Sequence, residues 1–369
     1  MLIIDGHEDI AYNALECGRD IRLSAYATRE REASQQSPYP IAMSGLPELR
    51  RGGVGIVFGV IFCMPHSGHA PGEGNSPVSY ADAEEAYRVG QHQFAYYRQL
   101  AEEPGVSLIL NQRNLKDVLS AWETSSADDK QRPLGIVPLM EGADPIRTPD
   151  EAAAWFAAGL RIVGLSWSGT RYSGGTFGLG PLTSAGKALL TEMERVGLTL
   201  DTTHLSEESF WSCLDHFHGH IIASHCNCRA LTMQQHQLSD SATRTASERQ
   251  LSDEMIRALV ERDAVIGVMP VNSFLTAAWS RSHPFPVGLD QVVRHIDHIC
   301  QIAGDSLHVG IGSDIDGGFG RDETPDELDT VADMGKLAAA LQIAGYKEEE
   351  ISNIMGGNWR RFLEHALPA

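Results

Sequence analysis

Cysteine is sparse in this 369-residue chain, basic residues are outnumbered, and no apolar run is long enough to cross a bilayer. The six cysteines (Cys17, Cys63, Cys213, Cys226, Cys228 and Cys300) are scattered. A disulfide framework belongs to small secreted domains, so reduced thiols in a cytoplasm are expected here. Cys226-Asn-Cys228 has one intervening residue, not the two of common zinc or redox pairs. Lys and Arg number 29 against 49 Asp and Glu, a formal net charge of −20. That balance argues against a nucleic-acid partner, which needs a basic face. It also disfavours an anionic membrane surface, while cationic ligands and metals stay open. Apolar runs fall short of the ~20 residues of a transmembrane helix. Met1-Leu-Ile-Ile-Asp-Gly-His7 lacks the basic start and apolar stretch of a secretory signal. There is no internal repeat or low-complexity tract. What the chain does have is an ordinary globular composition, 42% apolar and 21% charged, and ample length for a large core.

Short apolar runs alternate with stretches of helical periodicity. The strands expected are Leu2–Gly6, Val54–Phe62, Gly135–Met140, Arg161–Ser166, Leu198–Thr203, His220–Ser224, Ala264–Met269 and His308–Ser313. Most are continuously apolar, as strands covered on both faces should be. Helices are expected over Ala81–Glu102, Asp150–Ala158, Ser184–Val196, Ser206–His216, Ser252–Arg262, Leu289–Ala303 and Thr324–Ala344. Gly159 and Gly197 follow two of them as left-handed C-caps. Eight such units predict a (β/α)8 TIM-type barrel, a single domain over residues 1–369. A doubly wound sheet is the alternative, but no Gly-x-Gly-x-x-Gly turn follows the first strand. The polar stretches Ser67–Pro77 and Leu231–Gln250 are expected to be active-site loops on the strand-to-helix side.

Barrel active sites form just beyond the C-terminal ends of the strands. The first strand runs into His7-Glu-Asp9, the third into Glu141, the fifth into His204, the sixth into His225 and the eighth into Asp314. Of the 15 histidines, only His7, His204 and His225 are placed this way. Three imidazoles and three carboxylates at one mouth would repel one another and be poorly solvated without a cation. Imidazole with carboxylate suits zinc. Six groups exceed the needs of one tetrahedral ion, whereas two ions ~3.5–4 Å apart sharing a carboxylate use them all. His7 and Asp9 would take one ion, His204 and His225 the other, with Glu141 between. Each element also has a plainer reading. His-x-Asp arises by chance, His225 suits a satisfied core position, and Asp314-Ile-Asp316 resembles a calcium-type turn without the distal Glu of an EF-hand.

With these residues in hand, the chain resembles the membrane (renal) dipeptidases of the amidohydrolase superfamily. The resemblance rests on Ile4-Asp-Gly-His-Glu-Asp9, Met140-Glu-Gly142, Asp201-Thr-Thr-His204, Ala223-Ser-His225, Arg229-Ala-Leu231, His308–Gly317 and Gly356-Gly-Asn358. It implies hydrolysis of a dipeptide amide by a hydroxide bridging two zinc ions, bound by His7, Asp9, Glu141, His204 and His225. Asp314 would then be the proton acceptor and donor. Arg249 matches the arginine that holds the substrate carboxylate, with Arg229 as the fallback; Gln250 stands where the family has Asn. A homodimer is implied by the resemblance only. One departure is prominent. Where the family has a substrate-contacting histidine after the fourth strand, this chain has Trp167. An indole offers one donor, cannot ionise and fills more space. Arg171 or Tyr172 could compensate. The alternative is a same-fold amidohydrolase acting on an N-acyl amino acid or a lactam.

Overall fold

The computed structural model describes residues 1–66, 76–126, 131–232 and 247–369. Eight parallel strands coincide with the apolar runs: β1 (Ile3–Glu8), β2 (Val54–Phe62), β3 (Leu134–Glu141), β4 (Ile162–Gly164), β5 (Thr199–Asp201), β6 (Ile221–Ile222), β7 (Ile266–Val268) and β8 (Val309–Ile311). They pair in the order β7-β8-β1-β2-β3-β4-β5-β6, and a parallel bridge between Ala223 and Ile266 links the ends into a barrel. Several strands are shorter than expected because side chains take over the ladder. The Ser224 N–H, for example, donates to the Asp201 carboxylate at 2.9 Å.

The period-2 alternation of β2 explains why these strands are apolar on both faces. Ile56, Phe58, Val60 and Phe62 fill the barrel, with Ile4, Val137 and Leu139. Val57 and Ile61 join the layer beneath the helices, with Ile136 and Met140. The C-terminal helix Asn358–Ala366 closes the floor. Trp359 is fully buried among the inner residues and donates to the Ile311 carbonyl at 2.8 Å, while Asn358 donates to the Ser306 and Val309 carbonyls, both at 2.7 Å. Gly6 and Gly310 leave the room this indole occupies: a Cβ on either would lie within 2.8 Å of it. The Gly356-Gly-Asn358 motif is thus structural.

Helix ends follow local chemistry. Asp82, Thr183, Ser206 and Ser252 each accept an N–H of the following first turn, so the helices begin at Ala83, Ser184, Glu207 and Asp253. Gly159 and Gly197 close two helices at φ 122° and 84°. The stretch Thr324–Ala344 departs from expectation. Residues 324–330 are not helical; a 3-10 turn, Val331–Gly335, starts at the Thr330–Asp333 capping box and leads into the helix Lys336–Ile343. Pro325 begins a turn closed by the Leu328 N–H on its carbonyl (2.9 Å), and the Asp326 N–H is taken by the Val287 carbonyl (2.9 Å), so the earlier part is not helical. A strand at Val106–Leu108, pairing with the start of β3, was not anticipated. Of the two polar insertions, residues 67–75 of Ser67–Pro77 and 233–246 of Leu231–Gln250 lie outside the described residues.

Candidate metal centre

The parity of each strand decides what reaches the barrel interior. Along β3, Val137 and Leu139 point inward, and so therefore does Glu141. Along β1 the inward set begins at Ile4, which by alternation would bring Gly6 and Glu8 inside. A bulge intervenes: Asp5 pairs with Val57 but Glu8 with Gly59, so β1 carries one extra residue. The parity flips, and His7 and Asp9 turn into the mouth while Glu8 bonds the Ser44 hydroxyl. His204 and Asp314 are carried just past β5 and β8 in the left-handed backbone region, at φ 66° and 53°, which few side chains tolerate.

These residues converge. His7 Nε2 lies 3.4 Å from Asp9 Oδ2, 3.7 Å from Glu141 Oε2 and 3.9 Å from Asp314 Oδ1. The other Glu141 oxygen, Oε1, is 3.0 Å from His204 Nε2 and 3.6 Å from His225 Nε2. Among the described residues three groups could each hold a metal ion: His7, Asp9 and Glu141; Glu141, His204 and His225; and His7, His225 and Asp314, each with its atoms within 4.8 Å. All are buried.

Burial and crowding shift the ionisation of these groups. Burial alone would lower the His7 imidazole, but Glu141, Asp9 and Asp314 push it up to about 10. Burial raises Glu141 to about 8 despite the nearby His7 cation. It holds Asp314 well above the usual carboxylate range, with Asp9 and Glu141 adding to the rise. Burial, with the cations His7 and Arg249, holds His204 and His225 well below the usual imidazole range. Among the described residues, both nitrogens of His7, Asp9 Oδ1 and Glu141 Oε1 are buried without a well-aligned hydrogen bond, close as their neighbours in the cluster are. Divalent cations fit this donor set. His204 Nε2 and His225 Nε2 lie 3.1 Å apart. Two imidazoles at ~2.0–2.1 Å from one tetrahedral zinc would be about 3.3 Å apart.

A second layer, which the sequence did not reveal, aims these ligands. Thr176 Oγ1 lies 2.8 Å from His204 Nδ1, and Ser224 Oγ lies 2.9 Å from His225 Nδ1. Ser224 is itself fixed by Asp201, whose Oδ2 accepts its hydroxyl at 2.5 Å. With Nδ1 so engaged, Nε2 is directed at the centre. Asp5 Oδ1 accepts the N–H of His7 (3.1 Å) and of Ser313 (2.7 Å), tying the ends of β1 and β8 together. The available signal was an Asp two or three residues before each of two ligand histidines.

The remaining expected residues sit variously around the mouth. Arg249 is buried; it donates to the His225 carbonyl at 3.0 Å and lies over the Phe274 ring at 5.3 Å. Among the described residues no carboxylate pairs with it. Arg229 is engaged elsewhere, bonded to Glu207 at 2.7 Å and to the carbonyls of Ser247 and Gln250. Trp167 is half-buried, its ring 6.3 Å from that of His204. Arg171 pairs with Asp144 at 3.0 Å, and the Tyr172 hydroxyl bonds the Ile146 carbonyl, so both have partners. No described helix is long and apolar enough to cross a membrane.

Comparison with known proteins agrees with the barrel fold. A dipeptidase described as a metallo peptidase of family M19 shares the fold at a TM-score of 0.77, with 23% identity over 100% of this chain and 99% of that one. A metallo peptidase from Rhodobacter sphaeroides, solved with a phosphinate mimic of the dipeptide L-Ala-D-Ala, gives 0.76 at 22% identity over 99% of both chains. An uncharacterized Klebsiella pneumoniae protein from the pqqA 5′ region is 31% identical over 242 residues, 63% of this chain and 82% of its own. An uncharacterized dipeptidase of Schizosaccharomyces pombe is 29% identical over 177 residues, 48% of this chain and 38% of its own. The family model described as membrane dipeptidase, peptidase family M19, matches residues 1–367, and the chain belongs to that family.

Proposed function

We propose that the chain is a dipeptidase working with two zinc ions held at the barrel mouth. The observation that carries this reading is the division of Glu141: Oε2 faces His7, and Oε1 faces His204 and His225. His7 and Asp9 would hold one ion, His204 and His225 the other, and Glu141 both. Bound zinc polarises a carbonyl and acidifies water, lowering its pKa from 15.7 toward ~7.

The chain's own groups do the rest. The Arg249 guanidinium, buried and without a carboxylate partner of its own among the described residues, binds the dipeptide's C-terminal carboxylate through paired N–H donors. That contact orients the amide over the cluster. The Asp314 carboxylate takes the proton of the attacking water and passes it to the nitrogen of the departing amino acid. Its carboxylate lies 3.9 Å from His7 Nε2, at the edge of the cluster. Asn13 steadies the same turn, donating to the Asp9 and Asp316 carbonyls at 3.0 Å each. The six cysteines are all free, which supports a reducing compartment such as the cytoplasm.

Metal analysis by mass spectrometry, followed by a dipeptide panel on the same sample, tests the proposal. Two zinc per chain with release of free amino acids is expected. Metal-loaded protein that cleaves N-acyl amino acids or lactams but no dipeptide would overturn the substrate assignment.

A further inference from the structure

The mouth of the barrel is chemically lopsided. On the β2–β4 side stands a chain of aromatic rings. Phe62, the last residue of β2 and the register partner of Glu141, lies edge-to-face with Trp167 at 5.0 Å. Trp167 lies 5.1 Å from Phe177, and Tyr12 flanks Phe62 at 5.7 Å. Phe62 is buried by its neighbours, whereas Trp167, Phe177 and Tyr12 are half-buried and keep free surface. On the β6–β7 side stands Arg249, against the His225 carbonyl and Phe274. The metal-ligand cluster lies between.

The wall is preorganised. The Thr176 N–H donates to the Trp167 carbonyl at 2.9 Å, and the Thr176 hydroxyl meets His204 Nδ1 at 2.8 Å. Gly175 bridges to Gly178 and to Leu205. The segment carrying both rings is therefore the one that aims a ligand histidine, and the rings are fixed relative to the cluster.

A dipeptide with its carboxylate on Arg249 and its amide over the cluster must extend its amino-terminal residue toward this wall. We propose that Trp167 and Phe177, backed by the buried Phe62, form a specificity wall that selects dipeptides with a bulky apolar amino-terminal side chain. This rests on the dipeptidase reading above. Histidine in place of Trp167 would present a smaller, more polar ring; the indole adds apolar contact area instead.

The test compares kcat/KM of the zinc-loaded full chain on Gly-Ala, Ala-Ala, Leu-Ala and Phe-Ala with that on Ala-Gly, Ala-Leu and Ala-Phe. From Gly-Ala to Leu-Ala or Phe-Ala the value should rise about 10- to 100-fold, from burial of one side chain on the wall. The second series should change much less. Trp167→Ala, and independently Phe177→Ala should the first variant fold poorly, should flatten the first series through KM and leave the trend of the second. Turnover with a flat first series, or with the preference on the carboxyl-terminal side, overturns the wall alone. Absence of turnover on every dipeptide overturns the underlying reading and the wall with it.

Discussion

Asp314 occupies a backbone conformation with φ 53°, and its carboxylate is buried against His7. Strain of this kind costs on the order of 1–3 kcal/mol and persists where the surroundings over-determine it. Replacing Asp314 with Asn preserves the shape but removes the proton acceptor. We expect two zinc to remain bound while kcat falls about 10²- to 10⁴-fold; full turnover in the variant would reject the assignment. Thr176 acts through His204 and should show the opposite signature. Thr176→Val should weaken zinc affinity about 10- to 100-fold, with turnover restored at saturating zinc, as measured by competition with a chelator. The candidate ligands were legible in sequence because each follows a short segment read as a barrel strand. Their partners were not. Thr176 is 28 residues from His204 and Asp201 is 23 from Ser224, contacts that exist only once neighbouring strands have paired. The bulge in β1 was equally hidden, since alternation would bring Glu8 inward.

At the scale of elements, the helix Leu289–Ala303 is pinned to the barrel by His295. Its Nδ1 accepts the Cys228 N–H at 3.0 Å, and its Nε2 lies 3.1 Å from the Leu275 carbonyl. Only the neutral ring satisfies both, and burial lowers its pKa to about 4. The unfolded chain therefore binds this proton more readily than the folded one. The resulting stability is complete above pH 6.5 and is lost as pH falls toward 4, by on the order of 2–3 kcal/mol. His295→Gln keeps a donor and an acceptor without the titration. Its Tm should fall less than that of the unaltered protein between pH 7 and 5; parallel losses would contradict this role. The helix itself matches its sequence-based bounds at both ends, because Gly304 caps it at φ 84°. Thr324–Ala344 did not match: a helical pattern of apolar spacing says nothing about Pro325 or about a capping box that starts the turn only at Val331.

For the whole molecule, the eightfold alternation was readable because buried parallel strands leave continuous apolar runs. The convergence of five strand ends on one mouth then followed from barrel topology. Folding gathers the ligands, so binding of metal must in turn stabilise the fold. Removing metal by dialysis against a chelator should lower Tm, and the loss should reverse on adding zinc. At free zinc 100-fold above Kd the expected stabilisation is about 2.7 kcal/mol. An unchanged Tm would argue against a resident ion.

The central claim is that Glu141 stands between two cations at the barrel mouth. Anomalous diffraction across the zinc edge from a crystal of the zinc-loaded protein tests it most directly. The account predicts two peaks ~3.5–4 Å apart, one beside His7 and Asp9 and one beside His204 and His225, with a Glu141 oxygen on each. A single peak, or peaks that Glu141 does not touch, would contradict it.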